Sequence, residues 1–263
     1  MFQKSSLKLF GEENVTGFNI KTFIKALDHI LGGGISSGIL TEFCGAPGTG
    51  KTHMCLQMCL HAQLTNKKGR VGKAIFIDTS QGFNPHIIRE MAAYTSEKLM
   101  SGIDGVTITV EEFLSNIEYL FCNTIEAIKQ AINVIKEKVE KGENIKLIVV
   151  DSFTYIFRNF NGPSYLRLRL VYELLTELQI LADKNELAVI LTNQFSSKVT
   201  DCNNLILYPA LGEAYAHKIG QRLIFEKGII QRRIFLHKTL YGSSAIIPFL
   251  INQSGVRSIN TYN

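Results

Sequence analysis

Long apolar runs are missing from this chain: each strand-like stretch is interrupted within about 8 residues, against the roughly 18 to 20 that a membrane-spanning helix needs. No integral membrane segment is expected. Proline is scarce, with 5 in 263 residues, and neither a repeat nor a low-complexity tract occurs, so collagenous and disordered classes are excluded. Cysteine is scarce too. The five, Cys44, Cys55, Cys59, Cys122 and Cys202, are odd in number and include no C-x₂-C pair, which fits buried free thiols in a reducing compartment rather than a disulfide scaffold. Cys55 and Cys59 stand four apart in a helical pattern beside His53 and His61. Thiols at that spacing pack as small apolar residues on one helix face, and a metal site is the rival reading. Met1 to Phe10 is followed by no apolar segment, so no secretory leader is expected.

What is present describes one α/β unit: 46% hydrophobic and 19% charged residues, with 21 glycines. A chain of this length buries about 70 to 75% of its unfolded surface and needs no staple. Charge is unevenly placed. Residues 1 to 151 hold 16 basic and 16 acidic side chains, whereas 152 to 263 hold 12 and 7, so the whole net charge of +5 lies in the C-terminal part. Such a surplus suits a polyanionic partner, with an ordinary solvated face as the alternative.

Residues 1 to 19 show no period and read as an arm or linker; 20 to 263 read as the core domain. A helical pattern over Phe23 to Leu31 stops at Gly32-Gly33-Gly34. Apolar strands are expected at Ile39 to Cys44, Ala74 to Asp78, Ile117 to Cys122, Leu147 to Asp151 and Leu187 to Thr192. Helices are expected between them at Thr52 to Leu64, Pro85 to Met100, Thr124 to Lys141 and Pro163 to Lys184. Strands apolar on both faces that alternate with amphipathic helices imply βαβ crossovers and a mainly parallel sheet covered on both sides. After Gly220 three strands follow without helices, Gln221 to Glu226, Arg232 to His237 and Ser244 to Ile251, and are expected to form an antiparallel edge.

Gly45-Ala46-Pro47-Gly48-Thr49-Gly50-Lys51-Thr52 matches G-x-x-x-x-G-K-[ST], between an expected strand and an expected helix. In that setting glycines let backbone N–H groups converge on phosphate oxygens at the positive helix end; Lys51 would reach the β- and γ-phosphates and Thr52 would ligate Mg²⁺. Asp151 ends a buried strand where open α/β sheets bind ligands, so it is the expected partner of Thr52 for the Mg²⁺. Asn193-Gln194 ends another such strand, and an amide there can sense the γ-phosphate or merely cap the strand.

These residues resemble the RecA-type recombinases, and within them the eukaryotic Rad51 paralogues. Ala26-Leu27-Asp28-His29-Ile30-Leu31-Gly32-Gly33-Gly34-Ile35 is similar to that family's entry into the core, ahead of Thr41-Glu42-Phe43-Cys44-Gly45. Val189-Ile190-Leu191-Thr192-Asn193-Gln194 and Pro209-Ala210-Leu211-Gly212-Glu213 resemble its C-type branch in particular, and the likeness runs over roughly 20 to 255. The resemblance implies a RecA-like P-loop ATPase core that binds ATP and Mg²⁺, works in homologous recombination and double-strand break repair in the nucleus, and assembles with other recombinase paralogue subunits and the strand-exchange recombinase. It also implies single-stranded or branched DNA as a partner, through a first loop at Asn159 to Leu166 and a second at Phe195 to Leu211. Arg158 and Arg167 flank the first and Lys198 lies in the second, with Tyr165 and Phe195 placed to stack on bases or to pack in the core. Gln194 would couple nucleotide to the second loop, and His217 falls where the family places a histidine that feels the γ-phosphate of a neighbouring subunit.

Some positions depart from the family pattern. Ile77-Asp78-Thr79-Ser80-Gln81-Gly82-Phe83 resembles a segment that normally reads Asp-Thr-Glu-Gly, so Ser80 stands where a water-activating glutamate is expected. No arginine occurs between Phe83 and Arg89, where the family stacks one on adenine, and Lys238-Thr239-Leu240 replaces the Ser-Pro-containing cap. The resemblance therefore implies a DNA-dependent ATPase with weak hydrolysis, in a recombination-mediator subunit with a role in meiosis as well. Two rivals stay open: a nucleotide-binding scaffold that neither hydrolyses nor touches DNA, and a P-loop small-molecule kinase, which would need a lid with several arginines.

Overall fold

The computed structural model describes residues 17–64, 71–100, 108–158, 160–199, 205–239 and 245–259. Along the chain the first elements are β1 (Asn19–Ile20), α1 (Lys25–Ile30), β2 (Ile35–Ser36), β3 (Leu40–Gly45), α2 (Lys51–His61) and β4 (Lys73–Asp78). There follow α3 (Pro85–Met100), α4 (Val110–Ser115), β5 (Ile117–Phe121), α5 (Ile125–Glu140), β6 (Ile145–Asp151), α6 (Tyr155–Arg158) and α7 (Ser164–Lys184). The last part holds β7 (Ala188–Asn193), β8 (Phe195–Val199), β9 (Leu205–Pro209), α8 (Gly212–Lys218), β10 (Gln221–Lys227), β11 (Arg232–Lys238), β12 (Ile246–Asn252) and β13 (Gly255–Ser258).

Nine strands form the central sheet in the order β13-β12-β11-β10-β3-β7-β6-β4-β5. The strands from β10 to β5 run parallel, as the alternation of apolar runs and amphipathic helices requires. Strands β4, β6 and β7 feed both faces. Ala74 and Phe76, Leu147 and Val149, and Ala188 and Ile190 join the core that packs on α2, while Ile75 and Ile77, Ile148 and Val150, and Val189 and Leu191 join the core that packs on α5 and α7. This period of two is the pleat, and burial on both sides explains why the strands read as unbroken apolar runs. In α5 the buried Ile125, Ile128, Ile132 and Ile135 lie one above another along one stripe. Thr124 caps that helix by accepting from the Ala127 amide at 3.1 Å.

Several expectations are corrected. The C-terminal extension is antiparallel within itself, as expected, but it joins the sheet through a parallel contact: β10 pairs with β3, from Gln221 beside Thr41 to Phe225 beside Gly45. A helix, α8, precedes β10 and supplies the crossover that a parallel arrival needs. The antiparallel run starts with β10 against β11 and continues through β12 into a further strand, β13, whose four residues are too short to announce themselves. The expected first helix is shorter, Lys25 to Ile30. Helix α4 was not expected, although Thr109 and Glu112 form a capping box that the spacing T-x-x-E signals. The arm is expected at 1–19, but Asn19 already pairs with Ser36; residues 1 to 16, Cys202, and the basic segment 67–70 lie outside the described residues.

The thiols of Cys55 and Cys59 are fully buried, and desolvation pushes both well above the ordinary thiol range. His61 is buried as well, its pKa lowered to about 3 chiefly by desolvation, with its Nδ1 donating to the Lys21 carbonyl at 2.9 Å. These groups act as packing, and among the described residues no cluster of three or more metal-ligating side chains occurs.

Candidate nucleotide site

The carboxyl ends of β3, β7, β6 and β4 meet at one edge of the sheet, where Cys44 sits beside Asn193 and Asp78 beside Asp151. Just outside them lies a cleft of about 460 Å³. Two glycines shape its floor. A Cβ on Gly45 would lie 2.3 Å from the Phe225 carbonyl oxygen, so only glycine lets the loop leave β3 alongside β10; Gly50, at φ 110, starts α2 directly beneath Ile251. Pro47, Gly48, Gly50, Lys51 and Thr52 line the cleft, while Gly45, Ala46 and Thr49 support them from behind, Thr49 by donating to the Ala46 carbonyl at 2.9 Å.

Lys51 is buried and donates to the carbonyls of Gly45 and Ala46 at 2.7 and 2.8 Å. Burial lowers its pKa, a trend opposed by the charge of Asp151. Thr52 donates to Asp151 at 2.6 Å, and Thr192 donates to the other carboxylate oxygen at 2.5 Å. Desolvation raises the Asp151 pKa, these two hydrogen bonds oppose it, and the nearby charge of Asp78 adds to the rise. A hydroxyl and a carboxylate are hard oxygen donors of the kind Mg²⁺ takes in phosphate sites, so the residues present fit that ion.

Asp78 does not offer a free carboxylate to the cleft. It accepts from the backbone amides of Ser80, Gly82 and Phe83 at 2.9, 3.2 and 2.9 Å and thereby folds the segment after β4 into a tight turn. Ser80 lines the cleft on that turn. Gln81 is left-handed, at φ 59, whereas Gly82 is not. A left-handed position is the natural place for glycine, so the backbone favours the register in which the Gly of Asp-Thr-Glu-Gly falls on 81 and its Glu on Ser80.

Gln194 also lines the cleft, one residue past Asn193, which is buried and committed to structure. Asn193 donates to Glu42 at 2.5 Å and to the Ala210 carbonyl at 3.0 Å, and accepts from the Gln194 amide at 2.7 Å. Glu42 is fully buried and pairs with Arg222 of β10. A carboxylate inside the apolar run of β3 was the signal that a buried cation had to exist elsewhere in the chain.

A family model described as Rad51 matches residues 15–258. The chain belongs to the Rad51 family. It is similar to a DNA repair protein RAD51 homolog 3 from Cricetulus griseus, 34% identical over 266 residues that cover 96% of this chain and 72% of that protein. It is also similar to one of the same description from Dictyostelium discoideum, 34% identical over 254 residues, 92% of this chain and 66% of that protein. A DNA repair and recombination protein RadA from Methanococcus voltae is 30% identical over 274 residues, 97% of this chain and 80% of that protein.

The remaining positions suggested by the likeness to the Rad51 family fall in three places. The segments after β6 and β7 rise side by side, because those strands are neighbours. In the first, Arg158 ends α6 and Arg167 lies in the first turn of α7, both exposed; Asn159 is outside the described residues, and Ser164 to Leu166 is helix rather than loop. Tyr165 is 73% exposed and so is not a core aromatic, while Phe195 is half-buried. The second is not an irregular loop but carries the β8-β9 hairpin, with Phe195 paired to Pro209 and the Lys198 backbone to Ile206. His217 is exposed on α8 and does not line the cleft of its own chain. The cleft also contains residues that sequence reasoning missed, His53, Leu56, Asn84, Ile87, Arg232 and Ile251.

Proposed function

We propose that the chain is an ATP-binding recombination-mediator subunit that acts in homologous recombination and double-strand break repair, meiotic recombination included, within a nuclear hetero-oligomer of Rad51 paralogues and the strand-exchange recombinase. The observation that carries this reading is Gln194. It lines the phosphate cleft and is also the residue from which the β8-β9 hairpin departs, so a nucleotide-sensing amide and a candidate DNA-binding element share one backbone turn. Membership of the Rad51 family and the DNA repair designation of the relatives support the same reading. No helix among the described residues is long and apolar enough to cross a membrane.

In this reading the loop amides and Lys51 bind the triphosphate, with Lys51 exchanging its two carbonyl partners for phosphate oxygens. Thr52 and Asp151 hold Mg²⁺, which when bound neutralises phosphate charge. Lys51→Ala should weaken ATP binding by at least an order of magnitude, beyond whatever the loss of its two carbonyl partners costs the melting temperature without ligand. If ATP raises the melting temperature of the mutant as much as that of wild type, the phosphate-site assignment is wrong.

Arg158, Arg167 and Lys198 are proposed to meet the phosphates of single-stranded or branched DNA, beside Tyr165 as a stacking surface. In the assembled complex the affinity for single strands should fall steeply with salt. Arg158→Ala or Arg167→Ala should each reduce the magnitude of the log–log slope by about 0.7. An unchanged slope in both variants would remove these residues from the DNA interface. The scaffold reading keeps a foothold because Asp151 is the one carboxylate lining the cleft among the described residues, and it is already bonded by two threonines. The kinase reading has none, since Arg232 is the one arginine lining the cleft among the described residues.

A further inference from the structure

The arginine in the cleft comes from an element that no nucleotide motif contains. On β11 the buried Ile234 and Leu236 face the core over α2, and Arg232 lies two residues before Ile234 on the same face. That face continues past the end of the core. Arg232 pairs across the sheet with Lys227 and with Phe249, and Lys227 follows Phe225, which sits beside Gly45. The start of β11 is therefore at the same edge of the sheet as the phosphate loop, and the Arg232 side chain enters the cleft there.

Arg232 has no evident structural employment. Its Nε is buried without a hydrogen-bond partner among the described residues, while the residue as a whole is only half-buried. His53 follows Thr52 on α2 and lines the same cleft as Arg232. The same cleft is lined by the apolar Leu56, Ile87 and Ile251, with Asn84 as a further polar group. An apolar slot with a planar cation and an amide suits a flat heteroaromatic ring that carries ring nitrogens, and suits a bare polyphosphate poorly.

We propose that Arg232 holds the base of the bound nucleotide, with its guanidinium against the ring and the apolar wall on the other side, so that β11 supplies the base contact and the phosphate loop supplies the rest. This rests on the nucleotide-binding reading above and names the residue that distinguishes a nucleoside triphosphate from triphosphate alone.

The test compares dissociation constants of the full chain for Mg²⁺-ATP and for Mg²⁺-tripolyphosphate, by calorimetry, in wild type, Arg232→Ala, Arg232→Lys and Lys51→Ala. Arg232→Ala should weaken ATP about 10-fold and tripolyphosphate less than 2-fold. Arg232→Lys, which keeps the charge and loses the planar fork, should recover less than half of the loss in log affinity. Lys51→Ala should weaken both ligands. Melting temperatures without ligand should match for wild type and both Arg232 variants, because Nε gives up no partner. Equal weakening of both ligands by Arg232→Ala would make Arg232 a phosphate contact and overturn the proposal, as would no weakening of either or full recovery with lysine. If wild type binds neither ligand, the nucleotide reading itself fails, a result distinct from failure at Arg232 alone.

Discussion

Glu42→Ala should destabilise the fold by about 3 to 5 kcal/mol, a change of more than two orders of magnitude in the folding equilibrium. Glu42 is fully buried and balances Arg222, itself only 5% exposed. Removing the carboxylate leaves a guanidinium charge in the interior without its counter-ion, and leaves Asn193 with one acceptor fewer. Replacing both ionic partners with apolar residues, Glu42→Met with Arg222→Met, should recover most of the loss, because the penalty comes from the orphaned charge and not from the worth of the pair. Urea unfolding followed by two probes measures this, provided the slope m stays constant among variants. A loss below about 1 kcal/mol in Glu42→Ala would show that the pair is not held as described.

The effect should extend beyond stability. Asn193 holds both ends of the segment that carries β8 and β9, through the Gln194 amide and the Ala210 carbonyl. Glu42 sits three residues before the phosphate loop and fixes the Asn193 amide. In the double variant, therefore, restored stability should not restore tight anchoring of the hairpin.

Ser80→Glu should raise single-turnover ATP hydrolysis in the assembled complex by about 10² to 10⁴, the usual contribution of a general base. Among the described residues that line the cleft, no carboxylate is free to act as such a base. A serine hydroxyl is too short and too weakly basic, Asp151 is engaged by Thr52 and Thr192, and Asp78 is engaged by three backbone amides. Ser80 is exposed on a turn that lines the cleft, so a longer side chain meets no packed wall at its start. Gln81→Glu should give no comparable gain, since the left-handed residue is Gln81 and the register puts the glutamate at 80. Release of γ-phosphate is measured with the partner subunit's own phosphate-loop lysine disabled. Robust turnover by wild type at this site would sink the idea. If it holds, the subunit is an ATP-held clamp whose release is slow or depends on groups from a neighbour.

Much of the site was legible in the chain because its parts are contiguous. Gly45 to Thr52 needs only a strand before it and a helix after it, and both follow from local periodicity. Asp151 and Gln194 were legible because each ends an apolar strand, and parallel strands bring their carboxyl ends to one edge whatever their order. Ser80 was legible only through the resemblance of Ile77 to Phe83 to the family segment that reads Asp-Thr-Glu-Gly. Sheet content and the two-sided core followed from composition and alternation alone.

Tertiary structure decided what depends on strand order and on partners far apart in sequence. That β10 lies parallel to β3 could not be read from Gln221 to Glu226, since an apolar alternation is the same in either direction. Glu42 and Arg222 are 180 residues apart, and only that pairing makes them one ion pair. Arg232 reads as one basic residue in a solvated run with Arg233 until β11 is placed in register with β12; it then shares a face with Ile234 and Leu236 and enters the cleft, while Arg233 faces solvent. The physical reason is the same in each case. A period of two or of 3.6 assigns a side chain to a face of its own element, but which element covers that face is set by long-range burial, and no local pattern carries that information.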